Sequence, residues 1–156
     1  MAKVPDFDVV SAHKYFSASC FNKAWDLIEK KNRTLEEDLL MVTLNQTSIY
    51  HWLQRDDCTD EHLSVGYWQA SRIQTLLGNA SEATGFAEVS LTYSGELPPF
   101  YLGYAHEALA RAHKLAGREV EAKCHLDLAL ELAAKIGKKG DRELLEADLR
   151  QLTSAS

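Results

Sequence analysis

The stretch YLGYAHEALARAHKLAGREVEAKCHLDLALELAAKI, from Tyr101 to Ile136, predicts one complete helix-turn-helix unit. In its first half, apolar residues recur at alternating steps of three and four, which places them on one stripe of a helix. These residues are Leu102, Ala105, Leu109, Ala112 and Ala116. Gly117 ends the run, and the second half carries two apolar stripes. The stripes consist of Ala122, Leu126, Ala129, Ala133 and Ile136, and of Cys124, Leu128 and Leu132. A helix with two apolar stripes needs neighbours on two sides, so this unit predicts a stacked array of helices.

An internal repeat supports this interpretation. Gly78 and Gly117 each follow an apolar helical segment, and each is followed five residues later by an alanine, Ala83 or Ala122. The two glycines are 39 residues apart. Small residues at these positions let two antiparallel helices approach closely, which gives the pattern a cause in packing.

This pattern resembles the tetratricopeptide repeat (TPR) family. In the third unit, the hallmark positions of the family hold Leu109, Ala110, Gly117, Ala122, Leu126, Ala129 and Leu132. In the second unit, its small-residue positions hold Ala70, Ser71, Gly78, Ala83, Ala87 and Ser90. The period of 39 residues exceeds the family's repeat of about 34, and we assign the excess to the linker that contains Pro98 and Pro99. Four stretches are also similar to an uncharacterised group of bacterial TPR-like proteins, a likeness that implies no known activity. They are Ala12 to Ile28, Tyr50-His51-Trp52, Ser64 to Ser71 and Pro98 to Ala112.

The resemblance implies an all-α fold, a right-handed α-α superhelix of TPR-like antiparallel helix pairs with a C-terminal capping helix. We expect one domain over residues 1–156. Its helix pairs are predicted at residues 7–55, 60–94 and 99–136, and its cap at residues 140–153.

Local signals predict several helix ends. Thr34 followed by Glu37 predicts a capping box, in which each side chain satisfies an unpaired backbone donor. Gly78 is expected to adopt the left-handed conformation that ends many helices. No glycine or proline interrupts residues 7–31, which predicts one long helix, with a break near residues 17–19 as the alternative.

Composition narrows the classes of partner. The formal charge of -6 and the pI near 5.5 disfavour nucleic acid and anionic membranes, because both attract clustered cations. Cys20, Cys58 and Cys124 form no CxxC pair, which favours reduced thiols. No N-terminal apolar run and no stretch of membrane-spanning length is present in the sequence. We therefore expect a cytoplasmic protein.

The TPR family lines the concave surface of its superhelix with the first helix of each pair. The resemblance therefore implies a binding groove at Asn22, Asp26, Trp68, Arg72, Tyr104, Glu107 and Arg111. Two arginines and two aromatic residues suit an extended peptide with a carboxylate or phosphate group. The alternative is that Trp68 and Tyr104 are partly core residues and that the arginines neutralise neighbouring acids. Asp26 and Glu107 depart from the Lys and Asn residues with which the family binds C-terminal carboxylates.

Metal-site signals are weak. His106 begins a pattern like a zinc motif, but the next histidine is His113, about 10 Å away by helical rise, which is too far to share an ion. Cys58 and His62 have one-turn spacing but lack two further ligands nearby. We expect no metal ion and no cofactor.

Signals for catalysis are also weak. Nothing in the sequence orients His13, His51 and Cys20 as a nucleophile and its base. The segment Tyr50-His51-Trp52 fits a place where one helix packs against the next, with His51 hydrogen-bonded or exposed. No phosphate-binding glycine loop, nucleophile elbow or Rossmann pattern is present in the sequence. We therefore predict no catalytic residues.

The sequence thus predicts a non-enzymatic scaffold that binds a protein or peptide partner through the concave groove. A self-assembling structural protein is the alternative, since an aromatic N-terminal helix suits either a cover for the first helix pair or a homodimer contact. Its aromatic residues are Tyr15, Phe16, Phe21 and Trp25. An enzyme or small-ligand-binding protein with a groove lined by histidine and arginine is a third, less favoured reading.

Overall fold

Seven α-helices and no strands form residues 3–154, the part of the chain that this computed structural model describes. The helices are α1 (Val9–Glu29), α2 (Leu35–Leu53), α3 (Asp60–Leu76), α4 (Ala80–Ser94), α5 (Pro99–Leu115), α6 (Glu119–Ala133) and α7 (Lys139–Ser154). The all-α class is therefore confirmed. The predicted domain also included residues 1, 2, 155 and 156, which lie outside the described residues.

The chain divides into two compact units between Thr59 and Asp60. The first unit contains α1 and α2, and the second contains the five helices from α3 to α7. Consecutive helices pack as adjacent pairs, α1 on α2, α3 on α4 and α5 on α6. The arrangement of all pairs in one array stays a prediction.

In the first unit, α1 runs without a break through residues 17–19. Ser17 is fully buried against α2, where its backbone oxygen accepts a hydrogen bond from Ser48 Oγ over 2.6 Å. Its own Oγ accepts a hydrogen bond from Arg55 over 2.9 Å. The small serine therefore joins the two helices, and the prediction of one long helix is confirmed.

The ends of these helices follow short-range signals in the sequence. Thr34 Oγ1 accepts a hydrogen bond from the Glu37 N–H over 3.3 Å, and Glu37 Oε2 accepts one from the Thr34 N–H over 2.9 Å. This is the predicted capping box at the start of α2. At the start of α1, Asp8 accepts a hydrogen bond from the backbone of Ser11 over 3.1 Å.

In the second unit, α5 and α6 repeat α3 and α4 at a constant offset. The start and the end of each later helix lie 39 residues after those of its earlier counterpart. Gly78 and Gly117 both adopt the left-handed conformation, with φ values of 80° and 72°. The N–H groups of Asn79 and Arg118 then donate to carbonyl oxygens five residues earlier, over 2.9 Å in each turn. The repeat in the sequence is therefore a repeat in the backbone.

The length of this repeat is only partly explained by the proline-containing linker. Residues 95–98 separate α4 from α5, so a linker of four residues cannot contain the whole excess of about five residues over a TPR unit. Helices of 17 and 15 residues occupy most of the period.

Small residues allow α3 and α4 to pack closely. Ser71 Oγ donates to the backbone oxygen of Ala83 over 2.8 Å, and Ser90 Oγ donates to the backbone oxygen of Ser64 over 2.9 Å. All four residues are buried, as is Ala87 between them. Hydroxyl-to-backbone contacts of this kind require the two helices to approach closely, as the small-residue pattern predicts.

The C-terminal helix α7 packs on the α5–α6 pair. Its Leu145 and Leu149 are buried in one core cluster with Tyr104, Ala129 and Ala133. The opposite side of α7 is mostly exposed and charged, as expected of a terminal cap. Across residues 3–154, none of the helices combines the length and hydrophobicity that crossing a lipid bilayer requires.

Gly103→Ala tests the contact between α5 and α7. A Cβ atom on Gly103 would lie 2.6 Å from Leu145 Cδ2, and Leu145 is fully buried. We expect overpacking of about 1–3 kcal/mol to exceed the gain of about 0.5–1 kcal/mol that alanine brings to a helix, so that urea denaturation gives a lower free energy of unfolding. The matched control is Gly85→Ala in α4, where the new Cβ meets no atom within 4 Å and the protein should gain stability. Equal stabilisation by both changes would contradict the close α5–α7 contact.

Candidate functional site

Glu107 of α5 carries a fully buried carboxylate that two neighbours hold. On α3, Trp68 Nε1 donates a hydrogen bond to Glu107 Oε2 over 2.9 Å. Arg111, one turn further along α5, donates to Glu107 Oε1 from its Nε over 2.8 Å and also from a terminal nitrogen. A buried charge is tolerated when it is both paired and hydrogen-bonded. Glu107 meets both conditions and joins α3 to α5.

Tyr104 and Asp148 extend these contacts to α7. Tyr104 Oη donates to Asp148 Oδ2 over 2.8 Å, and its ring lies edge-on to Trp68 with centroids 5.3 Å apart. Burial, followed by the negative charge of Asp148, raises the pKa of Tyr104 well above its usual value, so the hydroxyl stays protonated and remains a donor. We refer to Trp68, Tyr104, Glu107, Arg111 and Asp148 as the Glu107 network.

Arg72 of α3 lies beside the Glu107 network without a hydrogen bond. Its Nε is buried and has no hydrogen-bond partner among the described residues, and its terminal nitrogens donate to none of them either. Burial, followed by the positive charge of Arg111, lowers the pKa of Arg72, whereas Glu107 and Asp148 raise it. The two carboxylates therefore act on Arg72 through space, but neither forms an ion pair with it.

The repeat explains why one arginine is paired and the other is not. Arg72 and Arg111 are 39 residues apart, so they occupy equivalent positions of α3 and α5. One turn before Arg111 stands Glu107, and the equivalent position before Arg72 holds Trp68. Indole offers no acceptor to a guanidinium, so α3 lacks the internal partner that α5 supplies.

Five of the seven residues predicted to line a groove lie in or beside the Glu107 network. They are Trp68, Arg72, Tyr104, Glu107 and Arg111. The other two, Asn22 and Asp26, are exposed on α1 in the first unit. Tyr104 is buried and Arg111 neutralises Glu107, as in the alternative in which the aromatic residues belong partly to the core and the arginines neutralise neighbouring acids. Arg72 does not match it, because no acid pairs with Arg72 among the described residues.

The sequence did not identify Asp148 as part of this site. Asp148 is one of several charged residues on α7, and nothing in its spacing from the others marks it as a contact of Tyr104. It lies three residues after Leu145 and next to Leu149, at the edge of the apolar stripe. The one sequence signal that Asp148 faces a polar neighbour is its position at the border of the buried apolar stripe.

Three histidines form a separate cluster between α5 and α6. His106 Nδ1 lies 3.0 Å from His125 Nδ1, and the ring of His113 stacks parallel to that of His125 with centroids 5.4 Å apart. His125 of α6 therefore contacts both His106 and His113, which lie two turns apart on α5. Burial is the first cause that lowers the pKa of each, and among the charged neighbours of His113, Arg118 lowers its pKa further.

A similar histidine pair joins the helices of the first unit. His13 Nδ1 on α1 lies 2.7 Å from His51 Nδ1 on α2, which confirms that His51 is hydrogen-bonded where the helices pack. Cys20 is buried, and burial raises the pKa of its thiol, the opposite of what an activated nucleophile needs. Residues 3–154 contain no group of three or more His, Cys, Asp or Glu side chains placed to hold a metal ion.

No protein-family model, curated protein or solved structure matches this chain.

Glu107→Gln tests whether the Glu107 network supports the fold. The change leaves the Arg111 guanidinium, whose side chain is 14% exposed, without an opposite charge. We expect a loss of about 3–5 kcal/mol in the free energy of unfolding, measured by urea denaturation, because one partner of a buried pair is removed. The matched control is Asp127→Asn, which breaks the exposed pair of Lys123 and Asp127 at the same i,i+4 spacing and should change stability by less than about 1 kcal/mol. Equal losses would show that the burial of Glu107 contributes nothing.

Acid should weaken the α5–α6 contact through its histidines. Their folded-state pKa values lie below the unfolded value of 6.5, so the folded protein binds fewer protons. Their contribution to stability is complete above pH 6.5 and is lost as the pH falls from there toward the folded-state values. We expect urea denaturation to show this decline and His125→Gln to make it shallower. Measurement of both proteins at pH 8 gives the packing effect of the change alone, and identical slopes would exclude the cluster as the cause.

Proposed function

We propose that this chain is a non-enzymatic scaffold that binds a protein or peptide partner through a face formed by α3 and α5. The observation that carries the proposal is the guanidinium of Arg72, whose buried Nε has no hydrogen-bond partner and whose terminal nitrogens donate to no other residue among residues 3–154. A ligand that supplies an acceptor to the terminal nitrogens gains charge-assisted hydrogen bonds that no described residue of the chain makes.

The helix pairs form, in this proposal, a TPR-like right-handed superhelix with the first helix of each pair on its concave side. The constant offset between the α3–α4 and α5–α6 pairs supports such an array, because identical pairs with identical turns stack in a regular way. In the first unit, the resemblance assigns Asn22 and Asp26 of α1 to the concave side of their own helix pair. From the resemblance to bacterial TPR-like proteins, we also propose that the protein is bacterial.

The Glu107 network gives the proposed binding face its rigidity. Trp68 and Arg111 are both fixed by hydrogen bonds to one buried carboxylate, and Tyr104 is fixed to Asp148. Side chains held in this way lose little freedom when a partner arrives, so more of the contact energy appears as affinity. An extended or helical segment is the kind of ligand that such a surface binds.

We place this activity in the cytoplasm, with neither nucleic acid nor a membrane as the partner. Cys20, Cys58 and Cys124 form no disulfide bond among the described residues, which suits a reducing compartment. The net charge of -6 gives no general attraction to polyanions.

A homodimer formed through α1 is a second candidate. Tyr15 and Phe16 of α1 are 63% and 43% exposed, and their rings contact each other with centroids 5.1 Å apart. Adjacent exposed aromatic side chains are common at protein contacts.

Affinity capture from extract of the source cells distinguishes the two candidates. The bait variant is Arg72→Gln, because Arg72 holds no other side chain in place, whereas truncation of Trp68 or Arg111 would release Glu107. We expect Arg72→Gln to weaken capture of a partner roughly 10- to 100-fold, since hydrogen bonds to a charged group contribute about 1.5–3 kcal/mol. Arg150→Gln, at an exposed arginine of α7, is the matched control and should bind like the native chain.

Two results would contradict the proposal. Undiminished capture by Arg72→Gln would show that Arg72 takes no part in binding. Recovery of the chain's own copies alone, with loss of this self-association in Tyr15→Ser, would favour the homodimer instead.

A further inference from the structure

We propose that the ligand presents a carboxylate to the two terminal nitrogens of Arg72. This inference deepens the proposed function and rests on it. Both arginines occupy equivalent positions of the repeat, and within residues 3–154 only Arg111 forms an ion pair with an acid. The Glu107–Arg111 pair shows that the equivalent arginine of the repeat binds a carboxylate, although through its Nε as well as a terminal nitrogen.

The geometry favours contact with the far end of the guanidinium. Arg72 Nε is buried, so a ligand oxygen does not reach it, whereas the two terminal nitrogens make no hydrogen bond within the described residues and are not among its buried unpaired atoms. A planar carboxylate matches the fork of these two nitrogens with two parallel hydrogen bonds. Glutamate, aspartate and a free chain terminus all present this group.

The charges near Arg72 favour a singly charged carboxylate over a phosphate. Arg72 and Arg111 bring two positive charges, and Glu107 and Asp148 bring two negative ones, so the surroundings are balanced before a ligand arrives. A single negative charge relieves the repulsion between the arginines, and the second charge of a phosphate adds repulsion from both acids. Both carboxylate oxygens of Glu107 already accept hydrogen bonds, one from Trp68 and the other from Arg111.

The inference is tested by side-chain NMR of the 15N-labelled full chain. The Nε–Hε signal of Arg72 is assigned by its absence in Arg72→Lys, and sodium acetate is titrated at constant ionic strength against sodium chloride. We expect a saturable shift of the Arg72 signal with acetate and no such shift with chloride. Arg111, whose carboxylate is internal, is the control within the same spectrum and should not shift.

Three capped peptides then separate the possible sources of the carboxylate. They are acetyl-Ala-Glu-Ala-amide, acetyl-Ala-Ala-Ala with a free C-terminus, and acetyl-Ala-Ala-Ala-amide, which has no carboxylate. A shift with the first or second alone identifies a side chain or a chain terminus, and an equal shift with the third overturns the inference. Inorganic phosphate at the same concentration should act more weakly than acetate, and stronger binding by phosphate also overturns it.

A second measurement covers the case in which the NMR signal is broadened. Acetate should raise the melting temperature of the native chain above its value in chloride, and it should leave that of Arg72→Gln unchanged. Equal effects on both proteins contradict the inference. If a partner is captured in an Arg72-dependent way while no carboxylate probe acts, the binding function stands and only the ligand class is wrong. If acetate binds Arg72 and no partner is captured, the carboxylate site stands and the scaffold function falls.

Discussion

A carboxylate that has been removed completely from water constrains the whole second unit. Glu107 needs an opposite charge and a donor on each oxygen, and α5 alone supplies only Arg111. The remaining donor comes from Trp68, so α3 must lie at a fixed rotation against α5. Trp68 in turn packs against Tyr104, whose hydroxyl fixes α7 through Asp148. Three helices are therefore oriented by contacts that begin at one buried charge, and an apolar core of alanine and leucine would orient them less strictly.

The repeat gives this arrangement its asymmetry. Trp68 of α3 and Glu107 of α5 occupy equivalent positions of the repeat, and these two residues contact each other. If both equivalent positions held acids, the two carboxylates would repel each other. If both held tryptophans, neither indole would accept a hydrogen bond. Trp68 opposite Glu107 avoids both outcomes, and Arg72 loses an internal partner as the consequence. The tryptophan that lets α3 pack against α5 is thus also the reason that Arg72 has no acid one turn before it on its own helix.

Sequence patterns predicted what depends on neighbours along the chain. The turn at Gly78 and the capping box at Thr34 are local, because their hydrogen bonds close within a few residues. Helical spacing also placed Trp68, Arg72 and Glu107 on the helices that meet. It did not predict that Asp148 joins them or that His125 lies between two other histidines, since those contacts depend on how one helix is rotated against another. Predicting that Glu107 is paired and that Arg72 is not would also require the rotation of one helix against another. Periodicity places a residue on a face of its helix but does not identify what that face contacts.

The two histidine pairs have a consequence for proton placement. Two Nδ1 atoms that share one hydrogen bond cannot both carry a proton there, so His13 and His51, like His106 and His125, must adopt opposite tautomers. One ring of each pair holds its hydrogen on Nδ1 and the other on Nε2. In the His106–His125 pair, the first added proton can settle on the free Nε2 of the donor ring and leave the shared hydrogen bond intact, whereas the second must occupy the acceptor Nδ1 and break that bond. The His106–His125 pair therefore binds its protons in two macroscopic steps that belong to both rings together.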